Sequence, residues 1–227
     1  VIARDDVDVV DIVTPGDSHA ELAIAALAAG KHVLCEKPLA NSVAEAEAMA
    51  DAAAAAAGSG VHAMVGFTYR RVPAVTLMRD LIGEGAIGRV VQVRAAYRQD
   101  WLVDPQVPMA WRLKKEHAGS GSLGDIGAHA IDTAQFVTGL RLTEVAGVIE
   151  TIAKRRPLPD GWDGPAEDVG PGFGEVTVDD VAMFTGRFEG GALGSFEATR
   201  FATGRKNALT IEAAMEFHDA FERPPGD

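Results

Sequence analysis

Apolar positions along this chain follow two rhythms, and the first gives way to the second once. Val9–Val13 is apolar except for Asp11, and His32–Cys35 and Val61–Val65 are two more short apolar runs bounded by turn residues. Short continuous runs of this kind predict buried strands. Helical stretches separate them. One starts near His19 behind the turn Thr14-Pro15-Gly16-Asp17-Ser18, runs to Ala29 and stops at Gly30, and the other runs from Val43 to about Ala57 behind a capping Ser42. The order β-α-β-α-β, in units of roughly 30 residues, predicts a parallel sheet with right-handed crossovers, as in half of a doubly wound fold.

After Phe67 the pattern changes. Pro73–Glu84 reads as a helix, and Gly88–Arg98 alternates as a strand, with Val90, Gln92, Arg94 and Ala96 on one face. A loop carrying Trp101, Pro105, Pro108 and Trp111 follows. A helix is predicted over Asp125–Val137, ended by Gly139, and strands over Thr143–Ile152, Val176–Phe188, Ala192–Arg200 and Asn207–Glu212. Helices followed by a run of strands predict an α+β second domain with a mainly antiparallel sheet. Asp160–Gly174, with five glycines and two prolines, reads as a mobile loop. No internal repeat is evident.

Composition narrows the classes. With 227 residues, 47% hydrophobic and 24% charged, the chain has ample core for one or two domains, which excludes general disorder. Its net charge of -12 opposes non-specific attraction to nucleic acid or an anionic membrane. The alanine-rich stretch Ala44–Ala57 is interrupted by Glu45, Glu47 and Asp51, so it reads as a helix in water and not as a membrane span. The single cysteine, Cys35, can form no internal disulfide or Cys-based zinc site and fits a reducing cytoplasm. No signal-peptide pattern and no initiator methionine open the sequence, so the chain is expected to lack its natural start.

Two constellations carry candidate chemistry. Glu36, Lys37 and Pro38 emerge from the end of a predicted buried strand, and open α/β sheets hold ligands beyond the carboxyl ends of their strands. A lysine there can hydrogen-bond a substrate hydroxyl and favour its alkoxide, although strand-end charges are also common solvated loop residues. Cys35 beside them reads as a small core residue rather than a nucleophile. On a helix, Asp125, His129 and Asp132 fall at i, i+4 and i+7 and share one face. A histidine oriented by a carboxylate is a good base near neutral pH. Two alternatives stand beside that reading: Asp125 as a helix-capping acid with His129 in the core, and a weak carboxylate-histidine metal site. His19 lies at a predicted helix N-terminus, where polar cofactor groups are favoured, or is an exposed loop residue. Trp111 and Arg112 either pack between domains or stack on a ring. His62, His117 and His218 have no evident partners.

The combination of Thr14-Pro15 with His19, Gly30-Lys31-His32-Val33-Leu34-Cys35-Glu36-Lys37-Pro38-Leu39-Ala40, Val65-Gly66-Phe67-Thr68-Tyr69-Arg70, and Gly121 to Asp132 resembles the Gfo/Idh/MocA oxidoreductases, named for glucose-fructose oxidoreductase and inositol dehydrogenase. The resemblance implies an α/β fold: a partial Rossmann domain over residues 1–68, then a substrate-binding domain over 69–227 with a large open sheet that often forms the oligomer interface. It also implies NAD or NADP as cofactor, a sugar or polyol such as inositol as substrate, and a homo-oligomer; no metal is expected. Carried over by position, Lys37 and His129 match the catalytic lysine and histidine, and Asp125 the assisting acid. Thr14, Pro15, His19, Glu36, Lys37 and Pro38 match residues beside the nicotinamide and its ribose, and the Lys37-Pro38 bond is often cis in relatives. Trp111-Arg112 resembles a pair that approaches the cofactor.

Two departures qualify the resemblance. No Gly-x-Gly-x-x-Gly follows a first strand, and the family's opening units, roughly 60 residues, are absent, with them the pyrophosphate cradle. Leu209–Glu212 resembles a strand that a glycine turn should follow, yet Ala213-Ala214-Met215 comes at once, as if a segment were lost. The leading reading is a sugar or polyol dehydrogenase in intact form. A redox-neutral NAD-dependent glycosidase of the same fold and a non-catalytic sugar-binding paralogue are the competing ones.

Overall fold

The computed structural model describes residues 1–160, 172–204 and 207–215. Its first part holds three parallel strands, β1 (Val9–Ile12), β2 (His32–Cys35) and β3 (Ala63–Val65), in the order β1-β2-β3, crossed over by α1 (His19–Ala28) and α2 (Val43–Ala57). Ile12, Val33 and Cys35 pack against Ala23, Ala26 and Leu27 of α1 and Met49 of α2. Val9, Val13 and Met64 share the opposite face and stay exposed, so the apolar runs that read as buried on both faces are buried on one. Local signals set the helix ends. Ser42 Oγ accepts the Glu45 N–H at 3.2 Å, the N-cap bond, and donates to the Glu45 carboxylate at 2.9 Å. Gly30, at φ +73°, supplies the left-handed residue that turns the chain out of α1 into β2.

The second part begins with α3 (Pro73–Gly83), which has Pro73 in its first turn, and β4 (Val90–Gln99). A short 3-10 turn (Trp111–Leu113) and α4 (Lys115–Ala118) follow, then a π turn (Leu123–Gly127) that continues directly into α5 (Ala128–Thr138). The remaining strands are β5 (Leu142–Glu150), β6 (Arg155–Pro157), β7 (Phe173–Glu175), β8 (Val181–Phe188), β9 (Leu193–Thr199) and β10 (Asn207–Met215). Four of them join β4 in one sheet of order β10-β4-β9-β8-β5, antiparallel except for the β4-β9 pair, which makes it mixed. Val93, Ala95, Phe188 and Phe196 pack on Ala130 and Ala134 of α5. On the outward face the cross-strand neighbours Val148 and Met183 are 71% and 53% exposed, beside the Arg98–Glu197 ion pair.

Three expectations are corrected. Val176–Phe188 is not one strand: Val176 and Val178 pack with Leu102, Met109 and Leu113, and β8 starts only at Val181. The break has a cause, since the carboxylates of Asp179 and Asp180 take backbone N–H groups from other segments. Of the Asp160–Gly174 loop, Phe173 and Gly174 belong to β7, and residues 161–171 lie outside the described residues. The last predicted strand continues through Met215 against β4, so residues 213–215 extend a ladder.

Candidate active site

The crevice between the two parts lies at the carboxyl ends of β1 and β2. Glu36 N–H donates to the Ile12 carbonyl at 2.9 Å, which carries β2 one residue past its end before the cis Lys37-Pro38 bond turns the chain. His19, at the start of α1, is buried with its ring between two carbonyl oxygens, Thr14 at 2.9 Å and Pro38 at 3.0 Å, and so ties the β1 turn to the β2 turn. Thr14, His19, Glu36, Lys37 and Pro38 form one wall of a cleft, and Trp111, Arg112, Ser120, Asp125 and Arg200 another. Pro15 is not part of that wall; its carbonyl accepts the Ser18 N–H and hydroxyl. Arg112 stacks on Trp111, 4.3 Å from the ring centre.

Lys37 and Asp125, 88 residues apart, meet across the cleft. Lys37 Nζ donates to Asp125 Oδ1 and to the Asp125 backbone carbonyl, each at 2.8 Å. Asp125 Oδ2 accepts from Arg200 Nη2 at 2.9 Å. Burial alone would raise the Asp125 carboxyl; Lys37 and Arg200 outweigh it and hold the group below the usual carboxylate range. His129 lies one turn on, in a box of Phe67, Tyr69 and Tyr97, with ring centroids 4.9–6.1 Å away. Tyr69 and Tyr97 share a hydroxyl hydrogen bond of 2.8 Å. Burial first, then the Lys37 charge, push His129 down to about 4 against the opposite pull of Asp125 and Asp132, so the ring is neutral at pH 7. Its Nδ1 is buried with no hydrogen-bond partner among the described residues.

The three side chains expected on one helical face part company. The π turn widens the backbone at Asp125, which bonds to Lys37 and Arg200, while Asp132 turns away to pair with the Arg70 guanidinium. Neither carboxylate bonds the His129 ring; aromatic packing holds it. Nor is Asp125 a cap. Asp179 does that work from the β7-β8 connection: its carboxylate accepts the Gly121 and Leu123 N–H groups, each at 2.7 Å, and the Ser122 hydroxyl at 2.8 Å. A Cβ on Gly121 would run into the Asp179 backbone, so glycine is required where the two segments touch.

Sequence reasoning missed Arg200, Asp179 and the aromatic box. Arg200 carried a usable signal, a basic residue at the end of a predicted strand. His117, left unassigned, bridges the two parts: Nδ1 lies 2.9 Å from Asp17 Oδ2, and its carbonyl accepts from Asn41 at 3.0 Å. His62 stacks on His32, and His218 lies outside the described residues. Cys35 is a core thiol, pushed up to about 11 by burial and then by the charges of Glu36 and Asp11.

Comparison with known proteins agrees with this architecture. Residues 1–67 match the oxidoreductase family with NAD-binding Rossmann fold, and residues 75–218 match the GFO/IDH/MocA C-terminal domain. The chain belongs to the Gfo/Idh/MocA oxidoreductase family. It is 47% identical over 215 residues to levoglucosan dehydrogenase of Pseudarthrobacter phenanthrenivorans, covering 93% of this chain and 54% of that protein. Among solved structures, an oxidoreductase domain protein from Kribbella flavida superposes with a TM-score of 0.88 at 62% identity, over 94% of this chain and 54% of that one. Levoglucosan dehydrogenase in complex with NADH and levoglucosan gives 0.85 at 46% identity, over 95% and 54%. The chain therefore spans about half the length of the relatives it matches.

Proposed function

We propose that this chain supplies the catalytic part of an NAD(P)-dependent dehydrogenase that oxidises a hydroxyl carbon of a sugar or polyol, with residues 1–68 on the cofactor side and 69–227 on the substrate side. The observation that carries the reading is the meeting of Lys37 with Asp125 beside a neutral His129. The cleft fits the nicotinamide end of the cofactor: Thr14, His19, Glu36 and Pro38 offer a short polar wall, and Trp111-Arg112 a flat one opposite. The cofactor supplies a hydride acceptor. Lys37 keeps one N–H beyond the two it gives to Asp125, and that donor polarises the substrate oxygen. His129, unprotonated and held in its aromatic box, accepts the hydroxyl proton. Asp125 holds the Lys37 ammonium in place. A homo-oligomer formed through the open sheet face and a cytoplasmic setting complete the reading; no helix among the described residues is long and apolar enough to cross a membrane.

The relatives make levoglucosan the first sugar to try, followed by pyranoses and inositols, with NAD and NADP in turn and the intact protein as enzyme. The expected result is sugar-dependent formation of reduced nicotinamide. Lys37→Met is expected to lower turnover by at least about a thousandfold while NADH affinity stays within a few-fold. Unchanged turnover in that variant would remove Lys37 from the mechanism. Sugar released without net reduction would favour the redox-neutral glycosidase, and cofactor-independent sugar binding with no turnover the paralogue.

A further inference from the structure

Two arginines are each 1% exposed in the second domain, and they use their guanidinium groups differently. Arg156 donates to backbone carbonyls, those of Asp104 and Leu102, as an arginine does when it pins a loop. Arg200 makes one side-chain hydrogen bond, to Asp125 Oδ2, and its Nε and Nη1 have no hydrogen-bond partner among the described residues. Burying unsatisfied donors is unfavourable, so packing alone is a poor reason for an arginine here. Its backbone is anchored on both sides: the Arg200 N–H donates to the Asp180 carbonyl at 3.1 Å, and its own carbonyl accepts from Leu102 at 3.2 Å. The Trp101 ring centre lies 5.4 Å from the guanidinium carbon.

We propose that Arg200 is a positioning residue for the dehydrogenation: by holding Oδ2 of Asp125 it leaves Oδ1 alone facing Lys37, and so keeps the third N–H of the ammonium free for the substrate oxygen. Without it the carboxylate can rotate and offer both oxygens to Lys37, which takes up that third N–H. The arrangement also leaves the Lys37-Asp125-Arg200 cluster with one net positive charge, which favours an alkoxide beside it. The proposal rests on the dehydrogenase reading given above.

The test uses Arg200→Gln and Arg200→Lys in the intact protein. The Gln variant is expected to keep NADH affinity and sugar KM within about threefold and to lose about 10–100-fold in kcat. The acid limb of its kcat profile moves to higher pH, because Asp125 has lost one of the two cations that keep it ionised. The Lys variant recovers most of the kcat, and in an Asp125→Asn background Arg200→Gln costs nothing further. Full kcat in the Gln variant, or losses that add to those of Asp125→Asn, would overturn the proposal. So would a lowered melting temperature with equal losses for Gln and Lys and an unmoved acid limb, which is the signature of a structural role. If the parent enzyme reduces no nicotinamide with any sugar, it is the dehydrogenase reading that has failed. A crystal structure of the Gln variant then still decides the role of Arg200: an Asp125 carboxylate rotated onto Lys37 supports it, and an unmoved one refutes it.

Discussion

A neutral histidine next to an ammonium costs the fold something, and the cost is measurable. An unfolded chain keeps His129 near its ordinary value of about 6.5, whereas the folded chain holds it down to about 4, first by burial and then by the Lys37 charge. Between those values the unfolded state binds a proton that the folded state does not, so stability rises with pH through that window and is fully present above it. The span corresponds to an upper limit on the order of 3 kcal/mol. His129→Gln should therefore flatten the dependence: urea denaturation at pH 4.5 and pH 7 is expected to show a clearly smaller difference in the variant than in the parent. An identical difference would mean that the ring takes up its proton inside the fold. The same numbers bear on catalysis. A base this weak takes a proton readily only from an acidified hydroxyl, which is why the neighbouring Lys37 donor belongs to the same step.

The element that presents Asp125 and His129 is a π turn running into α5, and its entry is fixed from outside. Four hydrogen bonds join residues 121–123 to Asp179: three to its carboxylate, and the Ser122 N–H to its backbone carbonyl at 2.9 Å. Asp179→Ala strands buried donors and is expected to destabilise the intact protein by roughly 3 kcal/mol, and to lower kcat as well, because the π turn shifts with its anchor. Thermal denaturation and turnover read the two effects together; a destabilised variant with full kcat would show that the anchor holds the fold but not the site. Much at this scale was legible in the sequence. The bounds of β2 and α2, with its Ser42 cap, follow from local pattern because turn chemistry and periodicity agree there. The interruption at Asp179-Asp180 was not legible, since the apolar parity of Val176 and Val178 resumes at Ala182, Phe184 and Phe188 beyond it and the partners of both carboxylates lie far away in sequence. The π turn escaped for a related reason: spacing alone assumes a uniform helix, and that assumption placed Asp132 with Asp125 and His129 when its charge is committed to Arg70. Lys37 stood out by its place after a strand, but its partner was fixed only by the packing of the second part of the chain against the first.

That packing runs, among the described residues, through few polar links, Lys37 to Asp125, His117 to Asp17 and Asn41 to the His117 carbonyl, so the crevice is built at a seam between two separate cores. The five-stranded sheet backs that seam with α5 on its inner face, and among the described residues its other face is left open. On the open face Val148, Met183 and Leu193 are 71%, 53% and 51% exposed, while Arg98–Glu197 and Arg187–Glu144 form ion pairs across the strands. In the proposed homo-oligomer an apolar patch rimmed by paired charges suits the subunit contact, and a two-fold axis would bring the patch against its own copy. Val148→Lys together with Met183→Lys places two like charges side by side across β5 and β8 and against their copies. In the intact protein this pair of changes is expected to shift sedimentation to a smaller species. The melting temperature should fall with it if the contact contributes to stability, because an oligomer stabilises the fold by mass action. Since the face lies across the sheet from α5, turnover per subunit should survive dissociation as long as the inner packing of Phe188 and Phe196 on α5 holds. Unchanged sedimentation would refute a subunit contact on this face, and loss of turnover on dissociation would show that the sheet needs its partner to hold Asp125 and His129 in register with Lys37.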